Sequence, residues 1–82
     1  MPEIARFYGI VIKIFFGDHT PSHFHAIYGE HVGVFNIENL EMTEGDLPNR
    51  AKKLVVEWGR KNRNELIIMW KKQDFHKLPP LE

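Results

Sequence analysis

The chain has 82 residues, no cysteine, and equal numbers of acidic and basic residues, 11 of each. This length predicts a single domain over residues 1–82 with a small core, and the lack of cysteine excludes disulfides and thiolate zinc sites. The sequence has neither a basic start before an apolar run nor a stretch of about 20 apolar residues, so we predict a cytoplasmic protein with no membrane contact.

The neutral total hides a division of charge along the chain. Residues 1–46 carry a net charge of −5 and residues 47–78 carry +6. Such a division is typical of a protein with a basic interaction face.

The first half is rich in β-branched and aromatic residues, which favour strands. It predicts one long strand over residues 4–16, two strands over residues 23–28 and 31–37 joined by a turn at Gly29-Glu30, and a short fourth strand within residues 39–44. Side chains alternate along a strand, so His23, His25 and Ile27 are expected on one face of the second strand.

The second half has helical periodicity. Apolar residues recur at the spacing of one helix face from a start near Leu47-Pro48, namely at Leu47, Ala51, Leu54, Val55 and Trp58. The pattern weakens at residues 59–63, and Asn62 with Glu65 resembles a capping box for a second helix ending near Lys71-Lys72. The predicted fold is therefore α+β, with a three- or four-stranded, mainly antiparallel sheet followed by two helices packed on one face.

The densest chemistry lies in residues 18–25, which hold three of the five histidines. His23 and His25 stand about 6.6 Å apart along a strand, and His19 or Asp18 would supply a third ligand from the preceding turn. Such a set predicts an open site for zinc or another divalent transition metal.

Two other interpretations of this cluster stay open. In the structural interpretation, Asp18 accepts hydrogen bonds from amides of the turn and Pro21 sets the direction of the chain. His23 and His25 are then polar residues on a solvated strand face. The third interpretation is metal-free acid–base chemistry, namely RNA cleavage assisted by a cation such as Lys13.

The basic residues of the second half also allow two interpretations. They are nucleic-acid contacts that follow a phosphate backbone, or they are the solvated side of amphipathic helices. The candidate contacts are Arg50, Lys53, Arg60, Lys61 and Arg63.

The first predicted strand is apolar on both faces. Ile10, Ile12, Ile14 and Phe16 would point one way, and Val11 and Phe15 the other. Two short helices cover only one face of a sheet, and the tail around Phe75 and Leu78 is a poor lid for the other. We therefore expect a homo-oligomer or a small protein partner on the second face.

Several segments together resemble domain-of-unknown-function family 4160. They are Met1-Pro2-Glu3-Ile4, residues 6–12, Asp18-His19 with residues 21–25, Tyr28-Gly29, and Leu47-Pro48 with Trp58. The resemblance implies a compact domain from a family of small prokaryotic proteins without an established activity, so no catalytic residue is transferred. It also implies a toxin and antitoxin type of role in a two-gene pair.

The function predicted from the sequence is a small cytoplasmic protein-interaction module within such a regulatory pair. The rival hypothesis is a histidine-based, metal-dependent enzyme that acts on RNA. The sequence favours the first, because no motif fixes a catalytic geometry.

Overall fold

The computed structural model describes residues 3–15 and 21–81, which form an α+β domain. The elements in chain order are β1 (Glu3–Phe7), β2 (Ile10–Lys13), β3 (His23–Tyr28), β4 (His31–Asn36), β5 (Met42–Gly45) and α1 (Asn49–Lys72). The strands form one antiparallel sheet in the order β1-β2-β3-β4-β5. The fold class is as predicted, whereas the structure has five strands and one helix among its described residues.

The additional strand arises because the predicted strand over residues 4–16 is a hairpin. Tyr8 and Gly9 both have positive φ, 49° and 80°, and a two-residue hairpin turn of type I′ needs this conformation at both central residues. Phe7 then pairs with Ile10 across the turn. The prediction of one long strand is wrong because tyrosine rarely occupies such a turn. Tyrosine also has a high propensity for strands, so Tyr8 itself gives no turn signal.

The predicted break at residues 59–63 is also wrong, because α1 continues unbroken through them. Asn62 does not cap a new helix, and its Nδ2 donates to the carbonyl oxygen of Trp58 within α1 (2.9 Å). Gly59 has a packing role instead, since a Cβ there would lie 2.7 Å from Cδ2 of Leu40. The glycine lets the loop before β5 approach the helix.

The core lies between α1 and one face of the sheet. Trp58 is fully buried, stacks on Phe7 at 5.7 Å and meets Phe24 edge-on at 5.7 Å. Ala51 and Val55 of the predicted helix face are buried with it. Because aromatic rings bury large apolar areas, this cluster supplies much of the stabilisation that so short a chain needs.

The C-terminal tail packs beside β1 and the helix. The amide of Leu78 donates to the carbonyl oxygen of Ile4 (2.7 Å), and the indole Nε1 of Trp58 donates to that of Pro79 (2.8 Å). Leu78 and Leu81 are buried in the same core. The tail therefore contributes to the helix side of the sheet.

Candidate interaction surface

The face of the sheet opposite to α1 carries a patch of apolar side chains, which we call the open face. Directly paired residues of neighbouring strands share a face, so the register defines its rows. One row is Arg6, Val11, Ile27 and Val32, and the next is Glu3, Lys13, His25, Val34 and Glu44.

The open face differs in exposure from the core face. The core-face residues Ile12, Phe24 and Phe35 are all fully buried. Val11, Ile27 and Val34 keep part of their surface exposed, and Val32 is 45% exposed. Apolar side chains that stay at least partly exposed and are contiguous across three strands are typical of an interaction surface.

Charge is distributed unevenly across the open face. Lys13 lies on β2, and Glu44 lies at the opposite edge on β5, in the same cross-strand row. On β1, Arg6 donates two hydrogen bonds to Glu3, at 2.8 and 3.1 Å. These bonds hold the pKa of the Glu3 carboxyl below its ordinary value of 4.5. The β2 side of the apolar patch is therefore positive and the β5 side negative.

Two of the predicted histidine ligands lie together on this face. The ring centroids of His23 and His25 are 5.5 Å apart, close to the roughly 5 Å expected of two imidazoles on one tetrahedral metal ion. Nδ1 of His23 donates to the carbonyl oxygen of Pro21 (2.8 Å), so a neutral ring carries its proton on Nδ1 and its lone pair on Nε2.

Aromatic rings surround both imidazoles. Phe15 meets His25 edge-on at 4.7 Å, and Trp70 of α1 lies 5.1 Å from His23, so the end of the helix reaches the open face at the start of β3. The other two predicted ligands, Asp18 and His19, lie outside the described residues. Within residues 3–15 and 21–81 no group of three or more potential ligands is close enough to hold a metal ion.

The predicted nucleic-acid contacts are all exposed on α1, and their side chains have different surroundings. Lys53 and Arg60 line one shallow pocket. Lys61 pairs with Glu57 at 3.8 Å, and Nε of Arg63 donates to the carbonyl oxygen of Glu38 (2.7 Å). Arg50 faces a separate pocket near the start of α1.

The sequence interpretation missed Val32 and Val34 as members of the open face. Both alternate with the buried Gly33 and Phe35 along β4, so the period-two pattern was available. Their place beside Ile27 and Val11 follows only from the strand register, which one sequence does not specify.

The family of the chain follows from its sequence. Residues 9–71 match the profile of a family described as a domain of unknown function, DUF4160. The chain belongs to this family. No curated protein and no solved structure matches the DUF4160 chain.

Within the part of the DUF4160 chain that the structure describes, no helix is both long and apolar enough to cross a bilayer.

Proposed function

We propose that this DUF4160 domain is a protein-interaction module that associates with a second copy of itself through the open face. The observation that carries the proposal is the apolar patch formed by Val11, Ile27, Val32 and Val34 on the side of the sheet away from α1. Burying such a patch between two sheets removes apolar surface from water, which favours association.

Charge complementarity supports a second copy as the occupant. Two sheets that meet face to face around a two-fold axis parallel to their strands run in opposite strand order across the interface. An axis between β3 and β4, parallel to the strands, places β2 of one copy opposite β5 of the other. Lys13 then opposes Glu44 of the other copy, and Ile27 opposes Val32. The arrangement pairs opposite charges twice around an apolar centre.

Sedimentation equilibrium of the full chain tests this proposal. We expect a dimer that the substitution Val32→Asp converts to a monomer, because a buried unpaired carboxylate opposes association. Glu41→Gln is the control, since this exposed residue lies in the loop before β5. A wild-type chain that stays monomeric at millimolar concentration, or a Val32→Asp variant that dimerises like the wild type, contradicts the proposal.

The cytoplasmic two-gene regulatory pair is the wider setting that we propose, and it rests on the family resemblance. In that setting the product of the neighbouring gene competes for the same face. If the wild-type chain is monomeric and binds this product, and Val32→Asp abolishes the binding, the occupant of the open face is that product and not a second copy.

A second candidate function is histidine-based chemistry on RNA that depends on a divalent metal such as zinc. The observation that favours it is the 5.5 Å separation of the His23 and His25 rings. Metal at a hundredfold excess over its Kd should raise the free energy of unfolding by about 2.7 kcal/mol, and the double change His23→Ala, His25→Ala should remove this gain. Equal responses of the double variant and the wild type to zinc contradict this candidate.

A further inference from the structure

A pocket of about 520 Å³ lies on the helix side of the sheet, away from the open face. Its walls come from two hairpin turns, the first half of α1 and the tail, and its lining includes Tyr8, Tyr28, Arg50, Leu54, Glu57 and Leu81. The predicted histidine site and the proposed dimer surface involve none of these residues.

Tyr8 occupies a backbone conformation that disfavours its own side chain. Its φ of 49° is left-handed, a region where glycine, asparagine and aspartate are preferred. The ring gains little from burial in return, because the residue is 59% exposed and meets Phe7 only edge-on at 6.5 Å. Unfavourable backbone conformations cluster at functional sites, which points to a functional role for the exposed phenol ring.

Tyr28 supplies a second aromatic wall. It is 37% exposed, and its Cε1 lies 3.4 Å from the position that a Cβ of Gly9 would take. The ring therefore lies against the backbone of Gly9 in the β1–β2 turn, and it lines the same pocket as the turn residue Tyr8. Two exposed phenol rings in one pocket suit a flat, unsaturated ligand, which they bind by stacking.

Arg50 gives the pocket a positive charge. Its guanidinium has no hydrogen-bond or ion-pair partner within residues 3–15 and 21–81, whereas the Glu57 carboxylate in the same pocket is paired with Lys61 at 3.8 Å. The first turn of α1 contains no acidic residue that would compete with a bound anion. An unpaired guanidinium favours phosphate, to which it donates two parallel hydrogen bonds.

We propose that this pocket binds a nucleotide, with the base against the tyrosine rings and the phosphate on Arg50. The shared chemistry is a flat base with a phosphate, whether free or at the 5′ end of a single strand. A neighbouring shallow pocket shares Glu57 and is lined by Lys52, Lys53 and Arg60. These cations lie where the phosphates of a continuing strand would run.

Titration of the full chain with adenosine monophosphate, followed by calorimetry at low salt, tests this site. Adenosine without its phosphate should bind at least tenfold more weakly, because the contact with Arg50 is lost. A 5′-phosphorylated hexanucleotide is compared with the same strand lacking that phosphate. Tighter binding of the phosphorylated strand than of the mononucleotide identifies a strand end as the ligand, whereas equal binding identifies the free nucleotide.

Two variants separate binding from folding. Tyr8→Asn removes the ring and suits the left-handed turn, so it should raise the midpoint of thermal unfolding while weakening nucleotide binding at least tenfold. Arg50→Gln should weaken binding and flatten its dependence on salt. Lys72→Gln is the control for Arg50→Gln, because it makes the same charge change at the other end of α1.

Three results would overturn the proposal. The first is that the wild-type chain binds neither the mononucleotide nor the phosphorylated strand at millimolar concentration. The second is that Tyr8→Asn binds like the wild type, and the third is that adenosine binds as tightly as its monophosphate.

Discussion

Leu40 packs against the backbone of Gly59 in the middle of α1. A Cβ added at Gly59 would lie 2.7 Å from Cδ2 of Leu40. The side chain of Leu40 is buried, and its backbone is held in place. It is 9% exposed, it has a φ of 59°, and its amide donates to the carbonyl oxygen of Asn36 (2.8 Å). This contact joins the β4–β5 loop to the helix.

We expect Gly59→Ala to destabilise the domain by about 1 kcal/mol. Alanine is favoured over glycine in a helix by a similar amount, but the added methyl group displaces a constrained leucine and overpacks the core. Asn64→Ala, at an exposed position of the same helix, is the control and should be neutral or slightly stabilising. Urea unfolding measures both, and a Gly59→Ala variant more stable than the wild type would contradict the packing argument.

Gly45 and Gly29 form a matched pair of glycines with positive φ, 89° and 59°. A Cβ at Gly45 would overlap the carbonyl oxygen of Val32, whereas a Cβ at Gly29 would meet no atom within 4 Å. We expect Gly29→Ala to cost about 1 kcal/mol, the backbone strain alone, and Gly45→Ala to cost about 3 kcal/mol or more. If thermal unfolding shows the same loss of stability for both variants, backbone strain alone accounts for both losses and the overlap at Gly45 adds nothing.

The tail should contribute measurably to stability through Leu78. Its side chain is 8% exposed, and its amide bonds to β1 at Ile4. Leu78→Ala is expected to lower the free energy of unfolding by about 2 kcal/mol. Lys77→Ala, at the exposed neighbouring residue, should change it little. If both variants unfold like the wild type in urea, the tail does not dock as the structure has it.

The ion pair of Glu3 with Arg6 predicts a dependence of stability on pH. The hydrogen bonds from Arg6 lower the folded-state pKa of Glu3, so the stabilisation is complete above the unfolded-state pKa and is lost as the pH falls through the folded-state pKa. Glu3→Gln should therefore lower the unfolding midpoint slightly at neutral pH, and the difference should vanish in acid. Circular dichroism melts across this range measure it, and a difference that is constant with pH would contradict the assignment.

The fold class, β3 and the buried face of α1 were predictable because each depends on a local periodicity. The β1–β2 turn was not, since Tyr8 has the wrong propensity for its conformation. The continuity of α1 was missed because Gly59 is explained only by Leu40, a contact between residues far apart in sequence.

For the candidate site, the sequence placed His23, His25 and Ile27 on one face, as the structure has them. It did not place Val34 or Glu44 beside them. Cross-strand register depends on tertiary packing, so the composition of the open face became visible only in the sheet.

The most direct test of the proposed interaction surface is a charge exchange between two copies. Lys13→Glu and Glu44→Lys each place like charges opposite one another in the proposed dimer, and each variant alone should associate at least tenfold more weakly than the wild type. A mixture of the two restores both opposite-charge pairs, so its sedimentation at low salt should show a heterodimer about as stable as the wild-type dimer. A mixture that stays as monomeric as its two components would contradict the two-fold, face-to-face arrangement.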